Sequence, residues 1–336
     1  MGVKKTTLKK FCTVILGVLA AGLLCTAALA QPLVPGGQAI GIGMSTKGVM
    51  ITGFAPVSTE QGEKCPAEEA GLKTGDIIVR LGKTDIGCAD DFIAAAQQLG
   101  SDELSVTVER GGKLRQLNIT PAKHCDGSYK LGIWLRDGIS GVGTLTFFDP
   151  ATGVYGALGH GISDGESGAI LPLDEGSIYS TEIVDIVPGK VGQPGELSGC
   201  TDRFTALGDI RVNCACGIYG KGDFDAENCV ETGQIRVGPA VILSTVSGCQ
   251  TREYSVEIKR VFENDGMVTV ALTVTDDALL SASGGIVQGM SGSPILQEGK
   301  LVGAVTYVFV NDPTSGYGIS IQDMLSAASQ CVDNAA

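Results

Sequence analysis

The chain has 336 residues, of which 43% are hydrophobic and 18% charged, and its formal net charge is −13. That length and apolar content allow two domains with their own cores, while the acidic balance excludes a role built on attraction to nucleic-acid phosphates. Forty-nine glycines and a single tryptophan, Trp134, point to many turns and short strands rather than long helices.

In chain order, Lys4, Lys5, Lys9 and Lys10 come first, followed by an uncharged stretch over residues 11–30 that ends in Ala28-Leu29-Ala30. This is the layout of an export signal, expected over residues 1–30 as a signal peptide or, uncleaved, as a membrane anchor. The remainder is then extracytoplasmic. Of the 11 cysteines, Cys12 and Cys25 lie in that segment. The odd number left implies at least one free thiol unless pairing is intermolecular. Cys214-Ala215-Cys216 is not a zinc knuckle and the chain has only two histidines, so neither a metal site nor a cofactor is expected.

Residues 37–122 carry a compact pattern. Ile40-Gly41-Ile42 precedes a polar turn, and Gly48-Val49-Met50-Ile51 reads as a strand. Then comes Cys65-Pro66-Ala67-Glu68-Glu69-Ala70-Gly71-Leu72-Lys73-Thr74-Gly75-Asp76-Ile77-Ile78-Val79. Proline opens a short helix, Gly71 ends it, and Gly75-Asp76 turns into an apolar strand. The Pro-Ala-x-x-Ala-Gly-Leu-x-x-Gly-Asp string resembles a PDZ domain. That resemblance implies peptide capture by strand addition, with the N–H groups of Ile40, Gly41 and Ile42 receiving a carboxylate and a helix near residues 90–99 flanking the groove.

From residue 130 to 331 the chain reads as short strands broken by glycine, the pattern of an antiparallel barrel or sandwich. Val287-Gln288-Gly289-Met290-Ser291-Gly292-Ser293-Pro294 places a serine between glycines, where the backbone turns sharply and leaves the hydroxyl unshielded. A base must be His124 or His160. His124 sits in a polar connector, whereas His160 leaves an apolar strand at a glycine-flanked turn, as a general base requires. For a carboxylate behind the imidazole, the spacing offers Asp164, Asp185, Asp209, Asp276 and Asp277 and does not separate Asp276 from Asp277. The run Leu301-Val302-Gly303-Ala304-Val305-Thr306-Tyr307-Val308 reads as a strand for pairing an extended substrate, with Val308 restricting the specificity pocket.

Gly159-His160-x-x-Ser163-Asp164, Thr275-Asp276, the stretch from Gly284 through Pro294, and Phe309-Val310-Asn311-Asp312-Pro313-Thr314-Ser315-Gly316-Tyr317-Gly318 together resemble the SpoIVB peptidase family, the stage IV sporulation serine peptidases. The resemblance implies an export segment, a PDZ domain and a chymotrypsin-like double β-barrel, a mainly β chain overall. It implies His160 as base, Asp276 as its partner and Ser291 as nucleophile, with the N–H groups of Gly289 and Ser291 as the oxyanion hole. It also implies action between the forespore membranes on a membrane-bound regulator that leads to sigma-K activation, together with self-cleavage. The competing readings are an envelope quality-control protease, against which the PDZ-first order speaks, and a non-catalytic PDZ scaffold.

Overall fold

A computed structural model describes residues 32–165 and 168–333. The expected export segment lies outside them. Among the described residues no helix is long and apolar enough to cross a membrane.

Two long strands organise the N-terminal half. β1 (Ala39–Phe54) runs antiparallel to a strand over Ile133–Asp149, with pairing from Thr144↔Ala39 to Ile133↔Phe54 and bulges on the way. Each strand serves two cores. Ile40 and Ile42 pack with Leu145, Phe148 and Tyr155, while Val49 and Ile51 pack with Ile78, Phe92 and Val106. Gly48 marks the change of core: its φ is +107° and a Cβ there would lie 2.4 Å from the Ile78 carbonyl, so only glycine lets the strands approach.

The second of these cores belongs to a PDZ-like module. It contains a short helix α1 (Pro66–Glu69), β2 (Ile77–Leu81), α2 (Ala89–Ala96), β3 (Leu104–Arg110) and β4 (Lys113–Ile119). The Gly-Asp signature has a structural cause. Asp76, 1% exposed, accepts from Lys73 N and is gripped by Arg110, whose Nη2 also holds the Gly71 carbonyl. A buried carboxylate is tolerated because a guanidinium and a backbone N–H neutralise it.

Across the expected domains, residues 37–122 and 130–331, the two long strands are shared by both cores. The module is inserted between the two halves of the β1 ribbon, and residues 39–45 belong to the peptidase part. There β5 (Ile133–Asp149), β6 (Val154–Ala157), β7 (Gly176–Val187), β8 (Glu196–Asp209), β9 (Val212–Cys214) and β10 (Gly217–Lys221) curl with β1 around the Ile40 core. A single bridge, Gly208↔Gly222, brings β8 back toward β10.

The C-terminal half is a closed six-stranded barrel of β11 (Gly238–Ser244), β12 (Arg252–Asn264), β13 (Met267–Val274), β14 (Pro294–Gln297), β15 (Lys300–Phe309) and β16 (Asp312–Ser320). Helix α3 (Asp277–Ser283) leads from β13 into the serine loop, and α4 (Ile321–Asp333) buries Met324 and Cys331. The chain is thus mainly β, with barrels, as expected.

Candidate active site

The serine loop is fastened to the first β-domain through its backbone. Thr144 N donates to the Ser291 carbonyl at 2.9 Å, Thr144 Oγ1 to Gly289 O at 2.8 Å, and Thr146 Oγ1 to Gly292 O at 2.8 Å. Met290 is fully buried in the barrel core and Gly292 N donates to Val305 O, which anchors the loop on the other side. The two threonines were not legible as site residues, since alternating small polar residues on a strand read as ordinary barrel wall.

The loop offers two serines, and burial distinguishes them. Ser293 is fully buried, donating to Met290 O at 2.7 Å and contacting Ser244 Oγ at 3.1 Å. Ser291 is half-buried, and its Oγ donates to the Thr306 carbonyl at 2.6 Å. Gly289, at φ +99°, turns the chain so that neither its own N–H nor that of Ser291 is used among the described residues. Two unspent donors beside a hydroxyl are what an oxyanion hole consists of.

His160 leaves β6 through Leu158 and Gly159, both at positive φ. Its ring stacks on Tyr307 with centroids 4.6 Å apart, and Nδ1 faces the Gly161 carbonyl at 3.0 Å. A Cβ on Gly159 would touch Thr306 Cγ2 at 3.0 Å, and one on Gly292 would fall 2.5 Å from Leu158 N. The imidazole and the Ser291 hydroxyl therefore contact adjacent residues of β15, the first the Tyr307 ring and the second the Thr306 carbonyl. β14 pairs with β15 only as far as Ala304; the serine loop continues along that edge through Val305 and the Thr306 carbonyl, and Tyr307 and Val308 beyond it are not paired with β14.

Burial pushes the His160 pKa below its ordinary 6.5, partly offset by the Gly161 carbonyl. The ring stays neutral, and able to accept a proton, to lower pH than a solvated histidine. The acid limb of Ser291 reactivity toward a fluorophosphonate should consequently lie below pH 6.5. A limb at or above 6.5, read from labelling rates across pH, would contradict a desolvated base.

Asp276 is held by backbone donors. Its Oδ1 accepts from Ala278 N and Leu279 N at 3.0 Å each, capping α3, and its Oδ2 accepts from Ser255 N at 3.3 Å. Gly316 pairs with both Val308 and Leu272, so Leu272 is level with Val308 two strands away. Asp276 lies further along, held on that ladder by Thr275 N donating to Ser255 O. His160 and Ser291 each contact one of two adjacent residues of β15, and among the described residues no hydrogen bond or ion pair joins Asp276 to either. Asp277 is exposed in the first turn of α3, Asp209 holds Arg211 and Lys221 N, and Asp185 accepts from Ile186 N. Asp164 is buried, with Gly75 of the PDZ-like module beside its carboxylate.

The two possible roles of Asp276 separate cleanly. Asparagine caps a helix about as well as aspartate, so Asp276→Asn should keep activity within a few-fold, while Asp276→Ala should lose about 1 kcal/mol of stability. A fall of several orders of magnitude in the labelling rate of Asp276→Asn would instead put its carboxylate in the catalytic relay.

Residues 40–42, expected to bind a peptide carboxylate, lie within a sheet. Ile40, Gly41 and Ile42 pair on one edge with residues 141–143 and on the other with residues 178–180, and Ile40 is fully buried. Their N–H groups sit inside a sheet and cannot form a carboxylate nest. A cavity of about 300 Å³ opens instead between α2, through Phe92 and Ala96, and the start of β5 at Ile133 and Trp134, with Leu131 and Gly132 at its end. Gly132 has φ +75°, and β5 pairs there with β1 alone. The signal was present, since Leu131-Gly132-Ile133 repeats the apolar-Gly-apolar pattern of residues 40–42. His124, read as a solvated connector residue, lines this cavity and pairs with Asp126 at 2.9 Å.

Two packed β-domains that hold a serine, a histidine and unspent backbone donors at their junction, with a PDZ-like module inserted in the first, define the double-barrel class of serine peptidases. The chain belongs to the SpoIVB peptidase S55 family, whose model matches residues 127–325. It is also similar, at 39% identity over 70 residues, to a putative zinc metalloprotease of Staphylococcus aureus, SA1105. That match spans 20% of this chain and only 16% of the staphylococcal protein. A putative zinc metalloprotease of Lactococcus lactis, LL2128, is 31% identical over 146 residues, 43% of this chain and 30% of that protein. Among solved structures, the PDZ domain of the SdrC-like protein of Listeria monocytogenes covers 27% of this chain and 90% of its own, with TM-score 0.22 and 22% identity. The active form of the Rv3671c protease of M. tuberculosis covers 56% and 72%, with TM-score 0.29 and 12% identity.

Proposed function

We propose that this chain is an exported serine endopeptidase of sporulation signalling, working between the forespore membranes on a membrane-bound regulator upstream of sigma-K activation and cutting itself. Membership in the peptidase family supports the chemistry, and the sporulation role rests on that family. The observation that carries the reading is that the Ser291 hydroxyl and the His160 ring contact adjacent residues of β15, the Thr306 carbonyl and the Tyr307 ring.

In this mechanism an extended substrate pairs with residues 306–308 of β15, displacing the Ser291 hydroxyl from the Thr306 carbonyl. The hydroxyl rotates toward His160 Nε2, gives up its proton and attacks the scissile carbonyl. The N–H groups of Gly289 and Ser291 hold the developing oxyanion, each donor contributing on the order of a hundredfold in turnover. His160 then returns the proton to the leaving amine, and water resolves the acyl-enzyme by the same route. Asp276 caps the helix that feeds the loop. The groove beside α2 takes a C-terminal or internal peptide by strand addition to β5, presenting substrate or restraining self-cleavage.

N-terminal sequencing of the fragments formed by purified wild-type protein tests this reading. Shortened products absent from Ser291→Ala are expected, and equal shortening of both proteins would overturn self-cleavage.

A further inference from the structure

The carboxylate expected behind His160 is occupied elsewhere, yet the ring is held in one orientation. Its Nδ1 faces a carbonyl, Gly161 O, at 3.0 Å. A carbonyl only accepts, so Nδ1 carries the proton and Nε2 keeps the lone pair a base needs. The orientation of that carbonyl therefore decides whether the base is armed.

Gly161 C=O and Ile162 N–H belong to the same peptide group and, the peptide being trans, point in opposite directions. Ile162 N donates to Asn213 Oδ1 at 2.8 Å. The same side chain returns Nδ2 to Ile162 O at 2.8 Å and to Leu171 O at 2.9 Å. Asn213 thus clamps both sides of residue 162 and the far end of the loop that follows the base. Its own position is fixed by strands, because β9 pairs with β10, and β10 pairs with β6, the strand that delivers His160. The fit is close: a Cβ on Gly161 would come within 2.5 Å of both Cys214 O and Ile170 Cδ1.

We propose that Asn213 is the positioning residue of His160, acting through the Gly161–Ile162 peptide group. The chain Asn213 Oδ1···H–N–C=O···H–Nδ1 does for this imidazole what a carboxylate does in a triad. It fixes the ring and its tautomer, and hydrogen bonds in series polarise one another. Among the described residues no carboxylate is hydrogen-bonded to the ring, consistent with a base whose pKa is lowered chiefly by burial.

This rests on the peptidase reading, and the test separates the two. With full-length protein and a fluorophosphonate probe, His160→Ala and Ser291→Ala should abolish labelling at residue 291. If they do not, the peptidase reading itself fails. Asn213→Ala should lower the maximal inactivation rate on the order of tenfold to hundredfold, while leaving the probe's apparent affinity nearly unchanged. Nitrogen-15 NMR of the ring nitrogens reads the tautomer directly, since the chain holds only two histidines. The wild type should show the Nδ1–H form at His160 and folded Asn213→Ala a shift toward Nε2–H. Asn213→Asp keeps an acceptor for Ile162 N–H and should retain the Nδ1–H form, which covers the case in which the alanine variant fails to fold. The proposal is overturned by an Nε2–H tautomer in the wild type, by loss of the Nδ1–H form in Asn213→Asp, or by a folded Asn213→Ala that matches the wild type in both rate and tautomer.

Discussion

Ser291→Ala is expected to reduce turnover of an unfolded protein substrate by roughly four to six orders of magnitude, because no other group can take over attack on the carbonyl. The fold should be almost untouched. The substitution removes one hydrogen bond, Oγ to the Thr306 carbonyl, which contributes about 1 kcal/mol. Gly289 keeps its contacts through Thr144, and Met290 stays in the core. A thermal melt close to wild type alongside a dead enzyme is the predicted pair of results. Ser293→Ala offers the contrast. Its hydroxyl is fully buried and bonded within the loop, so any loss of activity there should track loss of stability.

Gly292→Ala should be the most damaging substitution for the assembled site. Gly292 has φ +97°, and a Cβ there would lie 2.1 Å from Thr144 O and 2.5 Å from Leu158 N. Both are backbone atoms, so the clash is not relieved by rotating a side chain. The conformation costs about 1–3 kcal/mol for an L side chain, and overpacking costs about 1–3 kcal/mol more. Leu158 lies two residues before His160, and the strain would push the base away from the nucleophile. Denaturant unfolding should show the instability, and fluorophosphonate labelling should fall well beyond what the unfolded fraction explains. Labelling at the wild-type rate by a stable Gly292→Ala would mean that the loop does not need this approach.

Signals local in the chain were legible in the sequence. The Gly71 turn and Gly75-Asp76 required no knowledge of the rest of the molecule, and Arg110 only explains why the aspartate tolerates burial. The serine loop was equally plain, because glycines beside a serine expose a hydroxyl wherever the loop finally sits. Strand pairing was not legible. Residues 40–42 and 131–133 share one pattern, and what separates them is that the first is paired on both edges and the second on one. The same cause hid the insertion of the PDZ-like module, since β1 and β5 look like ends of separate domains until their register is known. Asp276 also carried a local signal beside the resemblance: an aspartate opening a short helix that Gly284 closes in the left-handed conformation. Asn213 gave no signal at all, as one amide among short strands becomes informative only when Ile162 and Leu171 arrive beside it.

The most direct measurement is the rate and position of fluorophosphonate attachment, mapped by mass spectrometry in wild-type and His160→Ala protein. A serine that reacts because an imidazole beside Tyr307 removes its proton should give a single adduct at residue 291, lost when residue 160 is alanine. An adduct at another serine, or one at 291 that forms equally fast without the histidine, would contradict it.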